Sequence, residues 1–299
     1  MSSTKPPLSA YIALTLVCIL WGTTYLAIRI GVEYVPGFMM AGIRNTLAGI
    51  LTVGFFIIRG VKFPTGNLLK ILAIRSFLMV LIGNSTVHWA EQYISSGIAA
   101  IIAAIVPIWM VIDTMLLFKS YKIKPRTLLG LILGFLGIIA IFYDHLSEFA
   151  DPNYTWGIVV MVIASLGWSL GSVYSSMNPI NISPIYAGGV QMLIAGIASI
   201  GISIMIGEDA NILHMPIEGI LSILYLVVFG SLLAYNAYLY ALSKLSPTRV
   251  SIYAYINPIV AVLLGWIVLD EKLTLLIVVA MSVTLIGVYF VNTSGSSKE

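Results

Sequence analysis

The chain has 299 residues, 60% of them hydrophobic and only 9% charged, with a mean hydropathy of +1.03. That composition excludes an ordinary soluble domain and predicts a polytopic membrane protein whose solvent is the lipid bilayer. A formal charge of +3 gives no reason to expect nucleic acid as a partner, and the single cysteine, Cys18, excludes an internal disulfide.

A hydrocarbon core of about 30 Å takes roughly 20 helical residues to cross. Ten runs qualify, and they are continuous rather than alternating, which leaves helices as the way to satisfy the backbone in lipid. The first, about 10 to 31, follows Lys5 and imitates a signal peptide, but no small-x-small cleavage site comes after it. It is read as a retained helix with Trp21 near its midplane and Thr24 and Tyr25 one turn on. The second, about 38 to 58, holds "MAGIRNTLAGIL", in which Arg44 is the only charge. Arg44 lies roughly 9 Å below the outer end at about 1.5 Å per residue. Either its long stem snorkels outward or the guanidinium turns inward to grip a carboxylate, on a substrate or on an acid such as Glu91. The inward reading is favoured because the outer half of the chain otherwise avoids positive charge.

The third run, about 69 to 89, places Asn84 and His88 on one face at i and i+4, as a polar lining or as hydrogen bonds between helices. The fourth, about 97 to 118, carries Pro107 midway and Asp113 about five residues from its inner end. Asp113 reaches water there, pairs with Arg75 or serves in coupling. The fifth, about 127 to 143, is short. The sixth, about 155 to 177, contains Trp168 and "GWSLG" at 167 to 171, which formally matches a G-x-S-x-G nucleophile elbow. That motif needs a strand-to-helix turn with a histidine and an acid in reach. Inside an apolar helix, Gly167 and Gly171 are instead a packing pair, and Ser169 is not read as catalytic.

The seventh run, about 184 to 206, carries Gln191. The eighth, about 219 to 241, ends in Tyr235, Asn236, Tyr238 and Tyr240, an aromatic group at the inner end that is part interfacial belt. The ninth, about 249 to 269, holds Tyr253, Asn257 and Pro258, and the tenth runs from about 274 to 291. Pro107 and Pro258 each remove a backbone hydrogen bond and predict kinks, flexing in a gate or static. The histidines, His88, His145 and His214, are scattered, there is no H-E-x-x-H, and no phosphate loop is present. No metal or cofactor is expected, and ATP-driven pumping within this chain has no site.

Numbering the loops alternately puts Lys5, Arg59, Lys62, Lys70, Lys119, Lys122, Lys124, Arg126, Lys244, Arg249 and Lys298 on the side of both termini, against Lys272 alone on the other. The positive-inside rule makes that side cytoplasmic. The acids agree: Glu33, Glu91, Asp144, Glu148, Asp151, Glu208, Asp209, Glu218, Asp270 and Glu271 all fall outside.

An offset of 147 brings Trp21 onto Trp168, Gly42 onto Gly189, Arg44 onto Gln191 and "AGI" at 48 to 50 onto "AGI" at 195 to 197. At 151, Ala90 meets Ala241 and Pro107 meets Pro258. Residues 1–146 and 147–299 then form two five-helix repeats. Five is odd, so the second is inverted in the membrane, which is a build of secondary transporters with a site near the midplane.

"WGTTYLAIRIGVEYVP", "MMAGIRNTLAGIL" and above all "WAEQYISSGIAA" with Pro107 downstream, mirrored by "ALSKLSPTRVSIYAYINPIVAVLLGWIVLDEKLT", resemble the drug/metabolite transporter superfamily, in particular the ten-helix EamA-type permeases. The likeness covers essentially the whole chain. It implies an all-α integral membrane protein, in members similar to bacterial inner-membrane carriers that often export amino acids or other small metabolites, with a central cavity lined by both repeats. Two departures stand out: the first repeat ends in "LFKSYKIKP" without the acids of "LDEKLT", and no glutamate lies deep in the first helix. The expected function is a secondary carrier for a small molecule, working by alternating access. Its rivals are an intramembrane enzyme and a non-transporting receptor, neither of which needs two mirrored gates. Expected substrate contacts are Trp21, Thr24, Tyr25, Arg44, Asn84, His88, Trp168, Gln191, Asn236, Tyr253 and Asn257.

Overall fold

The computed structural model describes residues 6–118, 122–208, 215–269 and 273–293. Lys5, Lys119, Asp209, His214, Asp270, Glu271, Lys272 and Lys298, invoked above, lie outside the described residues. Among the described residues there are helices and no strands, as a chain that must satisfy its backbone within lipid requires. In chain order the helices are α1 (Leu8–Val32), α2 (Gly37–Ile58) and α3 (Gly66–Ala90), then α4 in two pieces, Ser96–Ala103 and Val106–Leu117. They continue as α5 (Pro125–Ile141), α6 (Thr155–Met177), α7 (Pro184–Met205) and α8 (Ile217–Lys244). Last come α9, as Pro247–Val250 and Tyr253–Leu269, and α10 (Leu275–Thr293). Among the described residues nine helices are long and apolar enough to cross a membrane. The remaining one, α5, has 17 residues and ends at a bend of 84° into a short 3-10 stretch.

Sequence chemistry sets the ends. Proline opens α5, α7 and the first piece of α9, where its missing N–H is not needed and its fixed φ suits the first turn. Helices α2 and α7 stop at Gly60 (φ 82) and Gly207 (φ 73). At each, the glycine N–H bonds back three residues and the next N–H five residues, to Ile57 and Phe56 in one case and to Ile204 and Ser203 in the other. This closes orphan carbonyls with a left-handed residue only glycine adopts cheaply. The two glycines are 147 residues apart.

The central packing is glycine against backbone. A Cβ at Gly49 of α2 would stand 2.6 Å from the Leu193 nitrogen of α7, and one at Gly196 of α7 would collide with the Thr46 nitrogen of α2. These are the glycines of the two "AGI" triplets, and their lack of a side chain lets the axes approach closely. On the periphery, a Cβ at Gly287 of α10 would be 2.5 Å from the Gly130 carbonyl of α5. Contacts come in exchanged pairs: α3 packs on α6 as α8 packs on α1, and α4 packs on α6 as α9 packs on α1. Gly167 and Gly171 do pack: their faces meet Ile82, Leu78 and Met79 of α3.

Two features depart from uniform α-helix. Ser76–Ser85 in α3 and Leu226–Tyr235 in α8 wind as π-helix, a rare geometry that is frequent at functional sites. The interruptions of α4 and α9 do not sit at the prolines as expected. In α4 the break falls at Ala104 and Ile105, with Pro107 in the first turn of the second piece, where no hydrogen bond is lost. In α9 it falls at Ser251 and Ile252, and the helix runs through Pro258.

The start of α1 and the end of α10 mark one face, here called proximal. Ser9 bonds Tyr240 near the end of α8 at 2.7 Å, which puts that end there too. The other face is distal.

Candidate functional site

A cavity of about 80 Å³ opens within the bundle. It is lined by Trp21, Thr24, Tyr25 and Ile28 from the later half of α1, and by Gly83, Asn84 and Val87 from the later half of α3. Arg44, Ala103, Val106, Met161 and Ser165 come from the earlier halves of α2, α4 and α6, Trp168 from just past the middle of α6, and Tyr253 and Asn257 from the earlier half of α9. Helices α1 and α3, which begin proximally, contribute late residues and α2 and α4, which begin distally, contribute early ones, so most of the lining lies in the distal half, with Trp168 and the α9 residues towards the proximal side.

Its floor is aromatic. Trp21 and Trp168 meet edge to face with centroids 5.2 Å apart, and Tyr253 stands 5.0 Å from Trp21. Tyr238, fully buried, lies 5.2 Å from Trp21, 5.0 Å from Trp168 and 5.6 Å from Tyr253. The four rings form one contact cluster, with Tyr238 fixed by a 2.7 Å bond to Ser172. Offset and edge-on aromatic contacts of this kind add to burial energy. Asn257, its amide NH2 turned to the carbonyls of Tyr253 and Cys18 at 2.9 Å each, ties α9 to α1 beside the floor.

Arg44 is 3% exposed and faces inward, which settles the choice between snorkelling and lining. Its Nε donates to Ser231 at 2.8 Å and its Nη1 to His88 Nε2 at 3.1 Å. His88 Nδ1 faces the Asn84 carbonyl at 2.9 Å. A guanidinium only donates and a carbonyl only accepts, so the imidazole is neutral with its proton on Nδ1. The expected pairing of Arg44 with Glu91 is therefore corrected: helix rotation aims Arg44 at α8 and His88. Arg29 reaches Glu91 instead, donating to its backbone carbonyl at 2.8 Å. Among the described residues no carboxylate lies within 4.0 Å of Arg44.

Asp113 and Arg75 likewise do not pair. Asp113 accepts from Ser169 at 2.5 Å, while Arg75 donates to the carbonyls of Ser175 and Asn178 at the end of α6, where cations complement the helix dipole.

Of the other sequence-read residues, Thr24 lines the cavity with its hydroxyl bonded to the Trp21 carbonyl at 2.9 Å. Gln191 lies outside the lining and accepts from Tyr235 at 2.9 Å. Asn236 is apart from it too, donating to the Leu232 carbonyl. Pro107 and Pro258 neighbour the lining residues Val106 and Asn257. Sequence reasoning places Tyr235 and Tyr238 in a rim group and does not single out Ser231, Asn45 or Gly230. Tyr235, Ser231, Asn45 and Gly230, with Trp21, Arg44, Asn84 and Trp168, surround a smaller void behind Arg44. Tyr240 alone of the tyrosine group sits at the rim, on Ser9.

An EamA-like transporter family model matches residues 8–143 and again residues 155–293. The chain is 38% identical over 283 residues to a protein of Escherichia coli strain K12 described as an uncharacterized inner membrane transporter, YedA, covering 93% of this chain and 89% of that one. It is 26% identical over 288 residues to an uncharacterized transporter of Archaeoglobus fulgidus, covering 94% and 98%. One solved crystal structure superposes with a TM-score of 0.75 at 18% identity, over 95% of this chain and 96% of that chain, a likeness of fold alone.

Proposed function

The chain belongs to the EamA-like transporter family, and from that premise we propose that this membrane transporter is a secondary carrier exporting small carboxylate-bearing metabolites, amino acids among them, by alternating access. The observation that carries this reading is Arg44: a buried cation on a cavity wall, held by neutral partners and lacking an acid. Burying an unpaired charge is costly. A substrate carboxylate entering the cavity supplies the missing counter-charge, and the guanidinium fork suits its two oxygens. The aromatic floor below offers flat apolar surface to the substrate body and, for an amino group, cation-π contact.

In this reading the two family matches are inverted five-helix repeats, 1–146 and 147–299, and the proximal face is cytoplasmic. Support comes from the excess of lysine and arginine on that side and from the exchanged helix contacts. The four-ring floor is the closed inner gate of an outward-facing state, with the π-helical stretches of α3 and α8 as the segments that rewind when it opens.

Reconstitution in liposomes tests this. A carrier gives saturable counterflow of radiolabelled L-amino acids, and Arg44→Gln sharply lowers its apparent affinity without loss of folded protein. Counterflow unchanged in Arg44→Gln defeats the anchoring role. A substrate chemically altered rather than moved points to an enzyme.

A further inference from the structure

Glu91 closes α3, is fully buried, and has no hydrogen-bond partner on either carboxyl oxygen. Arg29 in the last turn of α1 reaches this residue but spends its bond on the backbone carbonyl. From α1, Tyr25 and Arg29 are the groups that act electrostatically on the carboxyl. Arg44 of α2 is bound to His88, and the α6 residues packed around the neighbouring Ala90, Gly157 and Met161, do not titrate. His88, one turn back on α3 itself, is committed at both ring nitrogens. Beyond Ser95, His145 is paired with Glu148 at 2.5 Å.

A carboxylate shut away with no donor is stable only as its neutral, protonated form. Losing the proton requires a counter-charge, and Arg29, already at the same residue, provides it by turning from the carbonyl to the carboxylate. Glu91 thus has two self-consistent states that differ by one proton and one guanidinium position.

The same helix face leads from this switch to the cavity. Asn84, His88 and Glu91 stand at i, i+4 and i+7, one stripe of α3: Asn84 lines the cavity, His88 holds Arg44, and Glu91 sits beside the cavity residue Tyr25. Resting on the carrier reading above, we propose that Glu91 is the proton-binding group of this transporter, its protonation coupled through α3 to occupation of the Arg44 site. The absence of a glutamate deep in the first helix then leaves coupling intact, moved to the end of the third.

The test uses the full chain in liposomes with radiolabelled L-amino acids as probe, comparing wild type, Glu91→Gln and Glu91→Asp. Wild type shows counterflow and, under a pH gradient, uphill movement, about tenfold per pH unit for one proton per substrate. Glu91→Gln keeps counterflow but ignores the gradient; Glu91→Asp responds to it with a displaced pH profile. A Glu91→Gln protein that still follows the gradient overturns the proposal, as does loss of counterflow and gradient response together in both variants. Wild-type counterflow indifferent to pH overturns the coupling alone, whereas absent wild-type counterflow overturns the carrier reading and the coupling with it. Infrared spectra without substrate give a second readout. A protonated-carboxyl band present at neutral pH in wild type and lost in Glu91→Gln supports the assignment, and its absence from wild type contradicts it.

Discussion

Arg44 and His88 meet at 3.1 Å across 44 residues of chain, and Gln191 and Tyr235 meet at 2.9 Å across the same 44. An offset of 147 carries the first pair onto the second. One pair brings a cation to the cavity wall and the other closes a neutral bond behind it.

The asymmetry predicts unequal mutants. Arg44→Lys keeps charge but loses the fork, and hydrogen bonds to charged groups are worth about 1.5–3 kcal/mol. Apparent affinity in counterflow should fall by about tenfold or more. Tyr235→Phe removes one interhelical bond, worth about 0.6 kcal/mol in a membrane protein. It should lower thermal stability slightly in detergent and leave the affinity close to wild type.

Close packing of α2 on α7 predicts a second contrast. Gly49→Ala puts a methyl 2.6 Å from the Leu193 nitrogen, and overpacking of this kind costs about 1–3 kcal/mol. Gly54, five residues on in the same helix, faces open space, so Gly54→Ala should be neutral. Unfolding temperatures of the two variants in the same detergent check this, and equal values contradict the packing described.

The aromatic floor predicts a change in chemical accessibility. Cys18, 4% exposed, lies one turn proximal to Trp21. A membrane-impermeant maleimide should leave it unmodified in wild type. Trp21→Ala opens a hole where three ring contacts converged, and labelling of Cys18 should rise severalfold. Unchanged labelling would place the barrier elsewhere.

The helical architecture and the family were legible because hydropathy reads the solvent directly, and a glycine or tryptophan repeated at a fixed offset survives in any register. The inward turn of Arg44 was legible too, from its place in a half of the chain poor in positive charge. Its partners were not. Whether Arg44 meets Glu91 or Ser231 depends on the rotation of α2 against α8, which no local pattern encodes. Proximity in the bilayer links Arg75 to Asp113, but the carbonyls ending α6 are nearer to its guanidinium. The π-helical turns and the break at Ala104 left no mark in the sequence, since glycine and proline stand nearby without fixing the position.

Competition of an L-amino acid and its carboxamide for the counterflow site, in wild type and in Arg44→Gln, measures the central pairing most directly. A guanidinium that grips a carboxylate predicts strong preference for the acid in wild type and loss of that preference in Arg44→Gln, with the amide bound equally by both. A preference for the acid that persists without the guanidinium would contradict it.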